Sequence, residues 1–231
     1  MTKFRLYETK KLHYKTYLYK VGLRNSLSHI FRSDLQKNGK LSYARERLDQ
    51  IHAVFQPGQQ LVKIPYRVWN DDRVRVEDYY DAITAYRFLK RVDDYKIRVE
   101  NNYMYVYSNN RKLLMTLINH MRVSAVEFWE PDPLNVDILL SNSNIEIIKK
   151  PSLYEFKVTL GGKKGSPSLA KWIESNPNLA KMGKRVREYC HESGYVKGLY
   201  FYIRDPKSLL IAQMMVGDNI QRIDRLVYQT Q

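Results

Sequence analysis

At residues 95–107 the sequence reads Tyr95-Lys96-Ile97-Arg98-Val99-Glu100-Asn101-Asn102-Tyr103-Met104-Tyr105-Val106-Tyr107. Apolar residues alternate with charged or aromatic ones on both sides of the Asn-Asn pair, which is the period of a strand with one face on a core. Asparagine tolerates the left-handed backbone that a tight hairpin turn needs. The stretch therefore predicts an antiparallel hairpin in which Glu100 pairs with Tyr103 and Lys96 pairs with Tyr107.

This register gives the hairpin two different faces. The first face is apolar and belongs on a core: Ile97, Val99, Met104 and Val106. The opposite face is cationic and aromatic: Lys96, Arg98, Tyr103, Tyr105 and Tyr107. A strand predicted over 197–204 divides in the same way and presents Tyr200, Tyr202 and Arg204 on its polar side.

Helical periodicity on either side of the hairpin predicts helices over 77–91 and 112–121, which completes an α-β-β-α unit. Downstream, the pattern predicts strands over 124–129, 136–140, 145–149 and 153–160. Ser166-Pro167, Asn176-Pro177 and Asp205-Pro206 each place a capping residue before a proline, which predicts helices over 167–175, 177–192 and 206 to about 226. The last of these helices is expected to be either continuous or interrupted near Gly217. The expected fold class is α+β, with a mostly antiparallel or mixed sheet and packed C-terminal helices.

Domain boundaries have little support in the sequence, because no internal repeat or low-complexity linker is visible. We expect a basic N-terminal α/β segment over 1–76 and an α+β core over 77–231, or a single compact domain of 231 residues.

Positive charge is concentrated in two segments of a chain whose net charge is +15. Residues 1–50 contain 12 Lys and Arg against 4 Asp and Glu, and residues 161–190 contain 7 against 2. A concentrated basic patch attracts polyanions and speeds their encounter with the protein. The charge pattern predicts nucleic acid as the partner, although a basic surface that solubilises the chain or meets an acidic protein has the same composition.

Tyrosine is unusually frequent, with 19 residues in the chain. Unpaired bases stack on aromatic rings while Lys and Arg neutralise the neighbouring phosphates, so a Tyr and Lys/Arg surface favours RNA or single-stranded DNA over duplex. The candidate binding residues are the hairpin and strand residues named above together with Lys163, Lys164, Lys181, Lys184 and Arg185. The alternative is that these tyrosines cover a sheet or pack beneath a helix with the hydroxyl in water.

A second group of residues has the composition of a metal-dependent hydrolase site. Asp137 lies in one predicted strand, and alternation places Glu155 and Lys157 on one side of another. Asp137 with Glu155-Phe156-Lys157 resembles the PD-(D/E)xK nuclease superfamily. The resemblance implies Asp137 and Glu155 as Mg²⁺ ligands, Lys157 as the third catalytic residue, and a helix, three strands, a helix and a strand within residues 112–204. The alternative is a solvent-facing ion pair between Glu155 and Lys157.

Several classes of protein are excluded or disfavoured. Cys190 is the single cysteine, so an internal disulfide framework and a cysteine-based zinc site are excluded. No apolar run is long enough to cross a membrane, no secretory signal is visible, and we expect a cytoplasmic protein without a membrane partner. The leading function is a weakly sequence-specific nucleic-acid-binding protein without a cofactor. The alternatives are a Mg-dependent nuclease and a viral or phage structural or assembly protein, whose basic face would pack against nucleic acid or an acidic protein partner.

Overall fold

The computed structural model describes residues 4–36, 39–66, 73–123 and 125–229. These residues form two compact units: the first contains the described residues of 1–9 and 16–133, and the second contains those of 10–15 and 134–229. The predicted boundary at 76–77 falls inside the first unit. The reason is that Tyr79 and Leu89, which follow the boundary, pack in the same core as Val21 and Leu23, which precede it.

The elements of the first unit are β1 (Arg5–Glu8), β2 (Tyr19–Arg24), α1 (Ser42–Val54), β3 (Leu61–Lys63), β4 (Arg73–Arg75), α2 (Val76–Lys90), β5 (Lys96–Glu100), β6 (Tyr103–Ser108), α3 (Arg111–His120) and β7 (Ala125–Glu130). Its main sheet has the strand order β1-β7-β2-β6-β5, in which β1 is parallel to β7 and the other neighbours are antiparallel. Strands β3 and β4 form a separate two-stranded sheet.

The elements of the second unit are α4 (Val136–Ser141), β8 (Ile145–Ile148), β9 (Phe156–Leu160), α5 (Pro167–Ser175), β10 (Ala180–Met182), α6 (Lys184–His191), β11 (Tyr200–Ile203), α7 (Pro206–Val216) and β12 (Ile220–Tyr228). Its sheet has the strand order β10-β11-β9-β12-β8. Here β8 is parallel to β12, and the other neighbours are antiparallel.

The two main sheets share one topology. In each, the unit's first sheet strand lies at an edge, parallel to the last strand, and the remaining order across the sheet is second, fourth and third. The other four strands of each sheet and their helices follow the β-α-β-β-α-β pattern. The connections differ: a two-residue turn joins β5 to β6, whereas α6 joins β10 to β11.

One face of each sheet is covered by helices. In the first unit Val106 and Phe128 lie with Leu114 and Leu117 of α3 in one hydrophobic core. In the second unit Phe201 and Ile203 of β11 lie with α5 and α7 residues in a separate core. Alternation along the strands leaves the opposite face of each sheet for polar and aromatic side chains.

The predicted fold class is confirmed: the protein is α+β with mixed and antiparallel sheets. The predicted α-β-β-α unit is present as α2, β5, β6 and α3. Asn110 caps α3 by accepting a hydrogen bond from the Leu113 amide at 3.0 Å, and Ser166 caps α5 by accepting one from the Leu169 amide at 3.3 Å.

The strand predicted over 136–140 is wrong, because these residues form α4. Only Leu139 of this helix is buried, while Asp137 and Leu140 are exposed. A short apolar run has no periodicity that separates a strand from a helix, and here the helix was the correct alternative.

The helix predicted over 177–192 is also wrong in its first half, which forms a turn and then β10 before α6 begins at Lys184. Ala180 and Met182 pack toward the core on either side of the exposed Lys181, which is a period of two. The last predicted helix ends early for a different reason. Gly217 has a φ of 61° and ends α7, and the chain continues as β12 instead of a helix to about 226.

Candidate nucleic-acid interface

The hairpin has the predicted register. Lys96 pairs with Tyr107, Arg98 with Tyr105, and Glu100 with Tyr103. Asn101 provides the left-handed residue of the turn, with a φ of 51°. The cationic and aromatic side of β5 and β6 is therefore a single face, as the alternation predicted.

Strands β2, β7 and β1 extend this face across the whole first sheet. On β2, Lys20, Gly22 and Arg24 lie beside the tyrosines of β6. Glu127 and Trp129 of β7 follow on the other side of β2, and Arg5 and Tyr7 of β1 lie at the edge of the sheet. We call this surface the aromatic face, and its residues are Arg5, Tyr7, Lys20, Gly22, Arg24, Lys96, Arg98, Glu100, Tyr103, Tyr105, Tyr107, Glu127 and Trp129.

Two pairs of aromatic rings lie on either side of one lysine along the aromatic face. Tyr7 stacks on Trp129 with ring centroids 4.7 Å apart and an interplanar angle of 19°. The Lys20 Nζ lies 4.1 Å from the centroid of the Trp129 ring and 4.7 Å from that of Tyr105. Tyr103 follows, with its ring centroid 6.0 Å from that of Tyr105 at 13°. Such cation–π and stacking contacts hold the side chains in place, and each contributes about 0.5–1.5 kcal/mol.

The predicted residues of this face are not equally accessible. Lys96 and Arg98 are exposed, and Tyr103 and Tyr105 are half-buried. Tyr107 is only 6% exposed and lies beside Tyr17, with the ring centroids 6.4 Å apart. A ligand can therefore reach Tyr103 and Tyr105 but not the ring of Tyr107.

A carboxylate lies among these rings. The Oε1 of Glu127 is 3.2 Å from the Lys20 Nζ, and the two side chains are 20% and 14% exposed. Burial raises the pKa of Tyr105, and the negative charges of Glu127 and Glu100 act in the same direction. The phenol of Tyr105 is therefore neutral and keeps its proton at neutral pH.

The second sheet has a polar face of a different character. Tyr200 and Tyr202 lie on β11 beside Lys157 of β9, whose Nζ is 4.5 Å from the centroid of the Tyr200 ring. The same Nζ donates to Glu146 at 2.8 Å. Tyr200 is 43% exposed and meets the Tyr202 ring edge to face, with centroids 5.5 Å apart.

Ion pairs occupy the rest of that face. Lys11 is 3.0 Å from Glu146 and 3.6 Å from Asp224, and Arg222 pairs with the other oxygen of Asp224. Asp224 is fully buried. We call Lys11, Glu146, Lys157, Arg222 and Asp224 the ion network. Because its cations have carboxylate partners, they are less available to phosphate than the exposed Arg5 and Arg24 of the aromatic face.

The three residues of the nuclease resemblance are not brought together on neighbouring strands. Asp137 is exposed on α4, and Glu155 is exposed immediately before β9. Lys157 pairs with Glu146, which the sequence analysis did not select. Among residues 4–36, 39–66, 73–123 and 125–229, no group of three or more His, Cys, Asp or Glu side chains is arranged to hold a metal ion.

The remaining predicted cations belong to the second unit. Lys163 pairs with Asp218, and Lys164 is exposed in the loop before α5. Three more are exposed on or near the second sheet: Lys181 on β10, Lys184 at the start of α6, and Arg204 after β11. Arg185 is also exposed on α6, where its guanidinium lies 5.5 Å from the Tyr189 ring.

Sequence reasoning missed part of the aromatic face. Tyr7, Lys20, Glu127 and Trp129 belong to it because β1, β2 and β7 are neighbours in the sheet. In Ala125–Glu130 the burial departs from strict alternation, since Ala125 and Phe128 are buried while Glu127 and Trp129 are half-buried, and the register between β7 and β2 shifts at this point. The sequence did not show that β1, β2 and β7, which are far apart in the chain, are neighbours in the sheet. This pairing assembles the surface.

In the part of the chain that the structure describes, every helix is too short or too polar to span a bilayer. Comparisons with protein-family models, with curated proteins and with solved structures find no match to this chain.

Proposed function

We propose that this protein binds single-stranded nucleic acid, RNA or DNA, on the aromatic face. The observation that supports this most directly is the continuous row of Tyr7, Trp129, Lys20, Tyr105 and Tyr103, in which one lysine lies between two pairs of stacked rings. Rings on a sheet surface are how single strands are commonly held, because every base has a π-face that can stack.

Charge at the margin of the row fits the same ligand. Arg5, Arg24, Lys96 and Arg98 are exposed around the rings, where they can neutralise phosphates on either side of a stacked base. Arg98 also pairs with Glu100 on its own strand, and its side chain remains 55% exposed. Phosphate contacts carry no sequence information, so most of the affinity is expected to be independent of sequence and to fall steeply with salt.

The aromatic face suits single strands better than duplex. In a duplex the bases are stacked on each other and only their edges are accessible in the grooves, so flat rings on a sheet have nothing to stack on. We therefore expect duplex of the same length to bind more weakly at equal salt. The face of the second sheet is a weaker candidate, because its two rings on β11, Tyr200 and Tyr202, meet edge to face at 74° and do not form a flat row on which bases can stack.

Fluorescence anisotropy tests the proposal with labelled single-stranded RNA, single-stranded DNA and duplex DNA of about 12 nucleotides, within the range of known single-strand sites. Tyr105→Leu keeps an apolar side chain and removes the ring, so it should weaken binding about 5- to 150-fold, which corresponds to the loss of one stacked base. Trp129→Leu should have an effect of the same order.

Tyr195→Leu is the matched control, since Tyr195 is a 69% exposed tyrosine in a loop of the second unit. The proposal is wrong if the wild-type protein does not bind single strands at low salt, or if Tyr105→Leu and Tyr195→Leu bind them equally well. Repeating the assay with Mg²⁺ and following the length of the probe separates a binding protein from a nuclease.

A further inference from the structure

The centre of the aromatic face contains an acceptor-only group at a fixed place. Glu127 of β7 and Tyr105 of β6 lie on opposite sides of Gly22 of β2. A Cβ at position 22 would come 2.4 Å from the Cγ and 2.9 Å from the carboxyl carbon of Glu127. The Glu127 side chain therefore lies across the backbone of Gly22 in the direction of Tyr105, in space that any other residue at position 22 would fill.

The carboxylate is held from a second side by Lys20. The Lys20 Nζ is 3.2 Å from the Glu127 Oε1 and is itself fixed between the rings of Trp129 and Tyr105. A carboxylate has about four lone-pair sites, so one ion pair leaves capacity to accept further hydrogen bonds. The Glu127 side chain is 20% exposed, which allows a ligand on the face to reach it.

A base stacked on Tyr105 would turn its edge toward this carboxylate. Guanine is the base that offers two neighbouring donors, the N1–H and the N2 amino group, and these match the two oxygens of a carboxylate. Adenine and cytosine each place a ring-nitrogen acceptor beside their amino donor, and uracil or thymine flanks its single N–H with two carbonyl oxygens. With adenine, cytosine, and uracil or thymine, the Glu127 carboxylate would therefore face a hydrogen-bond acceptor of the base. Two acceptors that face each other without water are unfavourable.

We propose that Glu127 makes the aromatic face selective for guanine, an inference that rests on the proposed binding of single strands. Phosphate contacts and stacking then provide affinity for any sequence, and the carboxylate distinguishes one base. A bidentate base contact discriminates by about 5- to 150-fold, so the expected preference is of that size.

The test uses labelled uridine oligonucleotides that differ at one central position, which carries guanine, adenine, cytosine, uracil or inosine. Anisotropy titrations with the wild-type protein should give the tightest binding for guanine. Inosine has the N1–H but lacks the N2 amino group, so it should lose most of the guanine advantage. Equal affinity for all five probes would overturn the inference, while Tyr105→Leu would still show whether the face binds single strands.

Glu127→Gln separates base recognition from the positioning of Lys20. The glutamine carbonyl can still accept from Lys20, but its amide donor replaces an acceptor, so the ratio of guanine to uracil affinity should fall to about one. If Glu127→Gln weakens all five probes by the same factor, Glu127 only positions Lys20 and the inference is wrong. Glu130→Gln is the matched control, since Glu130 lies on the same strand but pairs with Arg111.

Gly22→Ala is a second, independent variant. The added methyl group must displace the Glu127 side chain, so the guanine preference should fall although every functional group is retained. Circular dichroism establishes whether the variant is folded, and if it is not, Glu127→Gln decides the question. A folded Gly22→Ala protein with an undiminished guanine preference would contradict the inference.

Discussion

Lys157 donates to both carboxylate oxygens of Glu146, at 2.8 and 3.0 Å, although β12 lies between their two strands. The pair therefore spans the width of a strand and connects the edge strand β8 to the sheet's central strand β9. Lys11 adds a third contact to the same carboxylate at 3.0 Å. The lysine that resembled a nuclease residue is thus part of an ion network whose partners lie on β8 and β12.

The Glu146 carboxylate should make stability depend on pH. Burial acts to raise the pKa of Glu146, but the hydrogen bond from Lys157 and the charge of Lys11 outweigh it, so the pKa lies below its ordinary value. A lowered folded-state pKa contributes stability above the unfolded pKa of about 4.3, and this contribution is lost as the pH falls through the folded pKa. We expect Glu146→Gln to destabilise the protein by about 1–2 kcal/mol at pH 7, and by progressively less below about pH 4.

Urea unfolding at neutral and acid pH measures this difference. Glu155→Gln is the matched control, because Glu155 is exposed at the start of a strand of the same sheet and lies outside the ion network. Its unfolding free energy should follow that of the wild-type protein at both pH values. A Glu146→Gln protein whose deficit is the same at neutral and acid pH would show that the ion pairs do not cause it.

Asp224 should be the most sensitive residue of the ion network. It is fully buried, pairs with Arg222, and has Lys11 at 3.6 Å. Asp224→Ala leaves Arg222, which is 15% exposed, without its carboxylate. Removing one member of a buried pair is costly because the other remains desolvated, so we expect a loss of about 2–4 kcal/mol in unfolding free energy.

Asp218→Ala provides the comparison, since Asp218 also pairs with a lysine but has an 80% exposed side chain. Its denaturation midpoint should be unchanged. If Asp224→Ala is as stable as Asp218→Ala, the ion network does not contribute to stability, and the second sheet is held by its strand hydrogen bonds and its hydrophobic core.

The turn of the hairpin allows a test of backbone strain. Asn101 has a φ of 51°, a conformation that asparagine adopts more readily than β-branched residues do. Asn101→Val should therefore destabilise the protein by about 1–2 kcal/mol, and Asn101→Gly should be neutral or slightly stabilising. Thermal or urea unfolding of both variants measures the difference. Equal stability of the two variants would mean that the turn relaxes without cost.

The hairpin could be predicted from the sequence because its information is local. Apolar and polar residues alternate on both sides of Asn101 and Asn102, so a two-residue turn there decides which residues pair and which face each side chain is on. The helix caps at Asn110 and Ser166 were equally local. Alternation along one strand also separates its core side from its outward side, as in β6, where Met104 and Val106 are buried while Tyr103 and Tyr105 are half-buried.

The neighbours of a strand could not be predicted, because pairing is decided by packing between distant segments. Lys157 is an example: alternation gave its face correctly, but its partner Glu146 is on a strand two places away in the sheet. Asp137 shows a second limit. It lies in the short, mostly apolar stretch Val136-Asp137-Ile138-Leu139-Leu140, which fits a helix and a strand equally well. The shared topology of the two sheets was hidden for the same reason, as it is a property of pairing and not of local sequence.

Salt dependence should report the phosphate contacts of the aromatic face. For single strands the logarithm of the binding constant falls with the logarithm of salt concentration by about 0.7 per phosphate contact. Arg98 is exposed on the margin of the face and next to Tyr105 in the ladder, so Arg98→Ala should weaken binding at low salt and reduce the slope by about 0.7. Tyr105→Leu should weaken binding without changing the slope, because stacking releases no counterions.

Anisotropy titrations over a series of salt concentrations distinguish the two effects in one experiment. Arg91→Ala is the matched control, since Arg91 is an exposed arginine of the same unit at the end of α2. It removes the same charge from the protein's overall field, so it corrects for any loss that does not depend on position. If Arg98→Ala and Arg91→Ala reduce the slope equally, the phosphates are attracted by net charge alone and the strand does not follow the aromatic face.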